Sequence, residues 1–496
     1  MIVSARGSAE VFLLRVRPSP CPHCLLARLS ESGVDVEPEL AGVDLDSLPP
    51  ALVGALDEDL GSVAPVVRVS AGEPIRHLLM PVPGCECVAL PQAQAAPHTE
   101  ILETLLDPLL GIASPTLIAN RVSNPKLACD VVIGHVHVPQ GESRARAIGW
   151  GMSPEAASAS FVGEVVERYA AFRPDVSRIR AARLRDVPCG PALLIGLSGF
   201  DDEQRRGTNY VVPGVDDEIG WIEGRALADG SATAVPAASV YMTRAYRPGE
   251  RKFSPMLSTG LAAHTSAKAA GANARLEVLE RLATSLLWHR RTLGALLPTG
   301  VLTAEGAELG AAVERQGRTL RLCLASAPGA VPVVVAVILG DIFPWITFGS
   351  AARRTLGNAA AAALGEAAML WDHPPAPEPS AGKMPKVASP RRHFLWHATD
   401  DRSKMWRQRL GDTPPAAHSD PAADASDEQI ARELLAASPA AVEVDIAPAD
   451  VASQGYRVVK IVAPGVPFLQ FGTLGAPRRH LRRLGLEPRD DIHPFA

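Results

Sequence analysis

The sequence predicts an α/β protein with internally repeated helix and sheet halves, preceded by a small cysteine-bearing N-terminal domain. A charged triplet, Glu-x-x-Glu-Arg, occurs twice in similar helical settings, first within 160–172 and again within 273–285. Alternating apolar strands and Ala-rich helices begin near residue 113. The preceding segment instead holds two cysteine pairs and several Pro-rich turns. We therefore predict one domain over 1–112 and a second over 113–496.

Length and composition limit the class of protein. A chain of 496 residues is long enough for two or three domains, and 47% apolar with 21% charged residues is typical of globular proteins. The net charge of −5 provides no basic surface, which argues against nucleic acid or an anionic membrane as the partner. No apolar stretch is long enough to span a membrane, and the N-terminus lacks signal-peptide features. We expect a cytoplasmic protein.

The N-terminal region contains one polar helical stretch, "LARLSESG", and two cysteine pairs. A Cys-x-x-Cys pair has a standard spacing for zinc ligands, whereas the second pair, Cys-x-Cys, is tighter. A short, loop-rich segment gains stability from a metal ion, so we predict a structural zinc site. The alternative is four unrelated reduced cysteines, and His23, His77 and His98 could each replace one ligand. The predicted zinc ligands are Cys21, Cys24, Cys85 and Cys87.

Several stretches after residue 113 alternate or run apolar and so predict strands. A composition shift over 372–427 contains two Pro/Ala/Asp-rich stretches, "HPPAPEPSAGK" and "GDTPPAAHSDPAADASDEQ", which instead predict loops or linkers. The predicted strands are "CDVVIGHVHVP" (129–139), "ALLIGLSGF" (192–200), "AASVYMTRAY" (237–246), "VPVVVAVILG" (331–340) and "YRVVKIVAPGVPFLQFG" (456–472).

Both triplets fall on one polar face of a predicted helix, opposite an apolar face. Ser153 followed by Pro154 predicts the start of the first helix, and Ser266 has the same position before the second. A third helix repeats the pattern with one acid, because Thr355 precedes Glu366 by the spacing that separates Ser153 from the first glutamate. The sequence therefore contains two strong copies of one helical pattern and a weaker third.

Two functions fit these helices. Glutamate and arginine three or four residues apart can be simple surface ion pairs worth tenths of a kcal/mol. Alternatively, the helices converge, and several facing carboxylates then require a cation between them. Oxygen ligands without Cys or His favour Mg²⁺, and arginines provide planar donors for phosphate oxygens. That combination predicts a nucleoside triphosphate site, although the chain has no P-loop sequence.

The chain resembles the YcaO superfamily in "GWGMSPEAASASFVGEVVERYAAF" and "STGLAAHTSAKAAGANARLEVLERLA". The resemblance continues through "WIEGRALADGSATAVPAASVYM", "FGSAARRTLGNAAAAALGEA" and the terminal "HPFA", and so covers about residues 113–496. It implies an ATP-binding α/β fold in which acidic residues hold Mg²⁺ and arginines hold the triphosphate. The residues it assigns to that site are Ser160, Glu164, Glu167, Arg168, Asn273, Glu277, Glu280, Arg281 and Glu366.

The resemblance is to the azoline-forming branch and implies cyclodehydration of Cys, Ser or Thr residues in a ribosomally made precursor peptide. Thiazolines or oxazolines form after ATP phosphorylates the amide oxygen. Members of this branch commonly end in a proline-rich tail, so Pro494 and the carboxylate of Ala496 are candidate catalytic groups. The expected partners are the precursor peptide, a separate leader-binding protein of ubiquitin-activating type and a flavin dehydrogenase. A homodimer is also compatible with the sequence.

Two other functions are compatible with the same resemblance. A YcaO-type enzyme can form thioamides or amidines when the nucleophile is external or is the peptide N-terminus. A non-catalytic scaffold for the precursor peptide or a partner enzyme is the third reading. It is favoured only by departures from the family pattern at His264, Leu282 and Ala362.

Overall fold

The structure is a computed structural model. It describes residues 2–4, 10–14, 20–32, 34–36, 49–57, 64–70, 73–83, 85, 87, 104–107, 109–138, 145–188, 190–206, 208, 210–243, 247–327, 329–375, 389–416, 423–469, 476–489 and 492–495. His98, Cys189 and Ala496 lie outside the described residues.

The N-terminal region forms an antiparallel sheet with the order β1-β2-β3-β4. Its first helix begins at Pro22, directly after Cys21, because proline is well suited to the first turn of a helix. This confirms the helix predicted around "LARLSESG". The elements are β1 (Ile2–Ser4), β2 (Val11–Leu14), α1 (Pro22–Glu31), α2 (Pro50–Asp57), β3 (Ala64–Ser70) and β4 (Glu73–Leu79).

The next segment is an antiparallel meander that leads directly into a long helix. The predicted strand around "CDVVIGHVHVP" is confirmed as the middle strand of this sheet. On the helix, Val162, Val165, Val166 and Tyr169 are fully buried, as the predicted apolar face requires. The elements are β5 (Ala113–Ala119), β6 (Asp130–Val136), β7 (Ala145–Gly151) and α3 (Pro154–Phe172).

Two strand predictions are wrong in the following segment. "ALLIGLSGF" forms a helix whose Leu193 and Leu194 pack against Trp221 and Phe253, and a short apolar run does not separate a buried helix from a strand. "AASVYMTRAY" forms a 3₁₀ turn over Ala237–Ser239 and no strand over 240–243, while its residues 244–246 lie outside the described part of the chain. The elements are β8 (Arg180–Arg183), α4 (Gly190–Ser198), α5 (Asp202–Arg205), β9 (Glu218–Ala226), β10 (Ala232–Pro236), β11 (Leu261–His264) and α6 (Ala267–Arg290).

The third sheet has the order β12-β13-β14-β15 and is followed by another long helix. Its strand β14 is buried along its whole length, which confirms the strand predicted from "VPVVVAVILG". The elements are β12 (Ala295–Leu297), α7 (Ala304–Arg315), β13 (Thr319–Leu324), β14 (Val333–Leu339), β15 (Ile346–Ala352) and α8 (Leu356–Asp372).

The C-terminal segment returns to an earlier sheet. Its two strands lie between β9 and β11 and complete the order β10-β9-β16-β17-β11, with β8 pairing on β9. The elements are α9 (Pro390–His397), α10 (Asp400–Gly411), α11 (Asp427–Ala437), β16 (Val442–Asp445), α12 (Ala449–Ser453), β17 (Arg457–Val462) and α13 (Arg478–Arg483).

Three strands, β7, β11 and β15, each stand at the end of their sheet, among the residues the structure describes. Each is followed within a few residues by one long helix, α3, α6 or α8, which packs back onto it. An end strand has backbone N–H groups that no neighbouring strand can pair, so side chains must satisfy them. Of the helices described, none combines the length and hydropathy needed to cross a membrane.

Candidate functional site

The three strand–helix units share one local construction. Each helix begins after a hydroxyl side chain that accepts a hydrogen bond from a backbone N–H three residues later, the standard N-cap arrangement. These bonds run from Ala156 N to Ser153 Oγ (3.2 Å), from Ala269 N to Ser266 Oγ (3.4 Å) and from Asn358 N to Thr355 Oγ1 (3.3 Å). The helix starts predicted from the sequence are therefore confirmed.

Each unit then places one glutamate against its own end strand. The carboxylate accepts a hydrogen bond from a backbone N–H sixteen residues earlier in the chain, which satisfies a donor that the sheet leaves unpaired. The three bonds are Ile148 N to Glu164 Oε2 (3.0 Å), Leu261 N to Glu277 Oε2 (3.1 Å) and Ser350 N to Glu366 Oε2 (2.7 Å). The backbone N–H of Gly260, directly before Leu261, also donates to Glu277 Oε2, at 3.0 Å.

The second glutamate of each triplet reaches the strand of the next unit. Ala263 N donates to Glu167 Oε1 at 3.0 Å, which joins α3 to β11. Ala352 N donates to Glu280 Oε2 at 3.2 Å, and Ser350 Oγ donates to its other oxygen at 2.7 Å, which joins α6 to β15. The two acids of each triplet therefore have different roles. The first binds the strand of its own unit, and the second binds the strand of the next unit.

The third unit lacks this second acid. The residue three positions after Glu366 is Met369, which is buried in an apolar cluster that also contacts Trp150 of β7. Gly365 leaves room for that indole, because a Cβ at this position would overlap the Trp150 ring. Helix α8 thus contacts β7 through apolar groups, and the three units close into a ring with one uncharged junction.

Burial and mutual repulsion disfavour the charged forms of these carboxylates. Burial, together with Glu277 and Glu164, raises the pKa of Glu167 to about 8. Burial and Glu280 raise the pKa of Glu366 to about 7, and burial also raises the pKa of Glu277. Such shifts mark acids from several helices that share one space, which is the convergence predicted from the sequence.

Two arginines lie among these acids. Arg168 Nη2 is 3.2 Å from Glu164 Oε1, and Arg281 Nε is 4.0 Å from Glu277 Oε1. Burial lowers the pKa of Arg281, but Glu280, Glu277 and Glu366 more than offset that effect and raise it overall. Both side chains keep part of their surface open to solvent, 27% and 21% respectively, so their donors can also reach a ligand.

The oxygens do not form a cage for one bare ion. Among the described residues, no three acidic groups bring their ligand atoms within 4.8 Å of one another; only the cysteine cluster does so. A wider ring of hard oxygen ligands suits Mg²⁺, which usually takes one or two carboxylates together with water and phosphate oxygens. The donor set therefore fits Mg²⁺ bound jointly with a phosphate-bearing ligand.

The remaining predicted site residues lie around this ring. Ser160 and Asn273 are exposed, one helical turn before Glu164 and Glu277. Pro494 is buried in the C-terminal tail, where Phe495 packs against Phe348 of β15 at a ring separation of 6.3 Å. Because side chains alternate along a strand, Phe348 shares a face with Ser350, so the tail reaches the site strand. Ala496 lies outside the described residues.

The four predicted cysteines come together. The Sγ atoms of Cys21 and Cys85 are 3.4 Å apart, as are those of Cys24 and Cys87, while Cys21 and Cys24 are separated by 3.8 Å. Four thiolates around a tetrahedral metal at about 2.3 Å have mutual separations of about 3.8 Å. The cluster therefore has the dimensions of a four-thiolate metal site, and none of these distances is a disulfide. His23 is exposed, and the Nδ1 of His77 faces Asp107 at 3.0 Å.

Two residues of the site were missed from the sequence. Ser350 supplies both its hydroxyl and its backbone N–H to the acids, but a single serine within an otherwise largely apolar strand carries no distinctive signal. Lys460 is buried within electrostatic range of Glu277 and Arg168. Its signal was present in the sequence, because a lone lysine inside "YRVVKIV" interrupts an apolar strand.

The comparisons with known proteins agree with this construction. A family model described as YcaO cyclodehydratase, ATP- and Mg²⁺-binding, matches residues 148–466. A search of curated protein sequences finds no match.

Three solved structures share the fold. A heterocyclase in complex with substrate and cofactor gives a TM-score of 0.69 at 16% identity, covering 98% of this chain and 76% of that chain. The heterocyclase TruD gives 0.61 at 16% identity, covering 99% of this chain and 72% of the other. A chain of the E. coli microcin synthetase McbBCD complex with pro-MccB17 bound gives 0.52 at 14%, with coverages of 72% and 88%.

The solved structures establish the shared fold. The match to the family model begins within β7, includes α3 and the other two strand–helix units, and covers more than half of the sequence. The chain therefore belongs to the YcaO family of ATP- and Mg²⁺-binding cyclodehydratases.

Proposed function

We propose that this protein uses Mg-ATP to convert Cys, Ser or Thr residues of a ribosomally made peptide into thiazolines or oxazolines. The observation that carries the proposal is the ring of three strand–helix units, in which carboxylates with raised pKa values face two arginines. The structural relatives described as heterocyclases, one with substrate bound, support a peptide as the substrate class.

The residues of the ring divide the work of holding the nucleotide. Glu164, Glu167, Glu277, Glu280 and Glu366 provide the oxygens for Mg²⁺, which when bound neutralises charge on the phosphates. Each acid is held by a backbone N–H or a hydroxyl, so the ligands are fixed before the nucleotide arrives. Arg168 and Arg281 donate to phosphate oxygens, while Ser160 and Asn273 contact the nucleotide from the exposed side of the helices.

The chemistry needs positioning more than a nucleophile from the enzyme. The side-chain thiol or hydroxyl of the substrate gives its proton to a base, and its sulfur or oxygen adds to the preceding carbonyl carbon. The former amide oxygen then takes the γ-phosphoryl group as ADP leaves. Phosphate departs when the nitrogen lone pair forms the C=N bond and the ring nitrogen loses its proton. Arg168 and Arg281 stabilise the charge that develops on the transferred group. The tail with Pro494 and Ala496 is the proposed source of the base.

The N-terminal cysteines serve a structural role in this proposal. Cys21, Cys24, Cys85 and Cys87 would hold zinc, because their separations match a tetrahedral thiolate site. A structural relative is a complex of several proteins with a propeptide. We infer that this chain likewise acts with a separate leader-binding protein, and that a flavin dehydrogenase could oxidise the rings afterwards.

The reaction can be tested with the precursor peptide, a leader-binding partner, ATP and Mg²⁺. We expect the peptide to lose about 18 Da per ring, by the stoichiometry of losing one water, with one phosphate released per ring. When the peptide amide carries oxygen-18, the label should appear in phosphate. A Glu305→Gln variant, which removes an exposed carboxylate of α7, is the matched control and should react normally.

Other outcomes assign the alternative functions. Label recovered in water would exclude phosphorylation of the amide oxygen. A gain equal to the oxygen-to-sulfur mass difference would show thioamide formation, and loss of water with closure by the N-terminal amine would show an amidine. No turnover with a verified peptide and partner, while ATP still binds, would favour the scaffold.

A further inference from the structure

A lysine is buried inside the sheet behind the acidic ring. Lys460 lies on β17, opposite Leu261 of β11, and only 3% of its surface is exposed. Val458 and Val462, two residues away on the same face of the strand, belong to an apolar cluster. A charged ammonium at such a position is costly unless hydrogen bonds and an opposite charge compensate it. The structure supplies both.

The hydrogen bonds of Lys460 fix one turn of the chain. Its Nζ donates to the carbonyl oxygens of Leu257 and Thr259, each at 2.7 Å. Gly260 comes next, with a φ of +79° that favours glycine. The backbone N–H groups of Gly260 and Leu261 both donate to Glu277 Oε2. The lysine ammonium thus binds the carbonyl oxygens of this turn, and the Glu277 carboxylate binds the N–H groups that follow them.

The charges around the lysine are those of the ring. Burial lowers the pKa of Lys460 to about 8, Glu277 opposes this effect and Arg168 adds to it. The lysine therefore lies within electrostatic range of one residue from each triplet, although no direct contact joins it to either. A cation here also offsets part of the negative charge that the ring carries without a nucleotide.

The geometry points to Lys460 as a positioning residue of the nucleotide site, which sets the turn of Leu257–Gly260 and thereby the orientation of Glu277. This inference rests on the proposed Mg-ATP site. It assigns the lysine no contact with the substrate. Its effect reaches the nucleotide through the Glu277 carboxylate and the two N–H groups that hold it.

The test is a double-mutant cycle of Lys460→Met and Glu277→Gln, with Mg-ATP affinity measured by calorimetry. Each single variant should weaken binding about tenfold or more, the scale of one charge-assisted hydrogen bond. If the lysine acts through Glu277, the double variant should bind no more weakly than Glu277→Gln alone. Losses that add would overturn the inference, and so would unchanged affinity in Lys460→Met.

Two variants separate positioning from general stability. Ser438→Ala removes a fully buried hydroxyl that donates to Pro464 O, shortly after β17, at 2.8 Å and makes no hydrogen bond to Glu277. It should lower thermal stability and leave Mg-ATP affinity unchanged; a matching loss of affinity would contradict the inference. If Lys460→Met does not fold, Lys460→Gln replaces it in the cycle. Wild-type protein that binds no Mg-ATP would instead contradict the proposed function.

Discussion

Each glutamate of the ring has a structural and a ligand-binding task at the level of single atoms. One oxygen accepts a hydrogen bond from a backbone N–H of an end strand, as Glu164 does from Ile148 N, and this fixes the rotamer. In Glu167 and Glu366 the other oxygen accepts no hydrogen bond from the described part of the chain, so it is available to a cation. Glu280 differs, because both of its oxygens accept hydrogen bonds, from Ser350 Oγ and Ala352 N.

This difference predicts unequal effects of amide substitution. In Glu167→Gln the amide oxygen can keep the bond from Ala263 N, so Mg-ATP affinity should fall strongly while stability changes little. In Glu280→Gln the amide oxygen can keep the bond from Ala352 N only if the NH₂ group faces Ser350 Oγ, whose hydroxyl must then accept instead of donate. Exchanging these bonds costs about 1 kcal/mol in addition to lost affinity. Calorimetry and thermal unfolding measure the two effects. Unchanged ATP affinity in both variants would remove these acids from the site.

The raised pKa values also predict how nucleotide binding depends on pH. Glu167, facing Glu277, Glu164 and Arg168, has a pKa of about 8, and Glu366, facing Glu280, Arg281 and Arg353, has a pKa of about 7. Both must lose protons to bind a cation. Mg-ATP affinity should therefore rise as pH increases through 7 to 8, with protons released on binding.

Stability without nucleotide should follow the opposite trend. Because the folded pKa values lie above the unfolded value near 4.5, the folded state binds more protons, and its stability falls as pH rises towards 8. Calorimetry in buffers of different ionisation enthalpy reports the proton release, and denaturant unfolding reports the stability. An affinity that is flat between pH 6 and 9 would show that the acids are already ionised.

At the scale of elements, the cysteine-bearing helix α1 is joined to the site helix α3 by a buried network. Arg28 of α1 donates to Tyr169 of α3 at 2.9 Å and to Asp450 of α12 at 2.7 Å. Tyr169 in turn donates to Asp450 at 2.7 Å. All three side chains are essentially fully buried, so the orientation of α1 and α3 depends on the satisfaction of this network.

The cysteine cluster should therefore matter for more than its own segment. Purified protein should contain about one zinc ion per chain, the number that four thiolates hold. Replacing Cys21 and Cys24 with serine should remove the metal and destabilise residues 1–112, because the start of α1 loses its anchor. Elemental analysis and hydrogen exchange measure these effects. Cys323→Ser, at a lone buried cysteine, is the control and should keep the zinc. Protein prepared without chelator that contains no zinc would refute the site.

At the scale of the whole molecule, the N-terminal region and the rest of the chain share one core. Met80, Leu105 and Ile112 belong to the same buried cluster as Val162 and Tyr169 of the site helix. The predicted boundary between 1–112 and 113–496 stays a prediction about organisation. The shared core nevertheless indicates that the two parts depend on each other for stability.

A chain that begins at residue 113 should consequently be poorly folded. Deletion would expose the apolar cluster and leave Asp450 without Arg28, and an unpaired buried charge costs about 3–5 kcal/mol. We expect aggregation or a large loss in melting temperature, measured by light scattering and calorimetry. The full-length Arg28→Met variant loses the charge but keeps the apolar contacts, so its melting temperature should lie between those of the truncated chain and the unmodified full-length protein. A truncated chain as stable as the full chain would show two independent domains.

The sequence by itself determined the local features of this protein. Helix periodicity placed Glu164, Glu167 and Arg168 on one face, and hydroxyl caps located the helix starts, because both depend on residues within a turn or two. The cysteine pairs were also correctly grouped. The strand predicted at 192–200 was wrong, since an apolar run of nine residues suits a buried helix equally well.

Only the tertiary structure decided which groups these residues meet. Glu280 and Ser350 are 70 residues apart in the chain, and Arg28 and Asp450 are separated by 422. Lys460 reaches the site because β17 lies beside β11, a pairing that no local pattern encodes. Local propensity depends on neighbours along the chain, whereas the partner of a buried charge depends on which surfaces pack together. The acids of the ring could therefore be predicted from the sequence, whereas the hydrogen-bond donors that orient them could not.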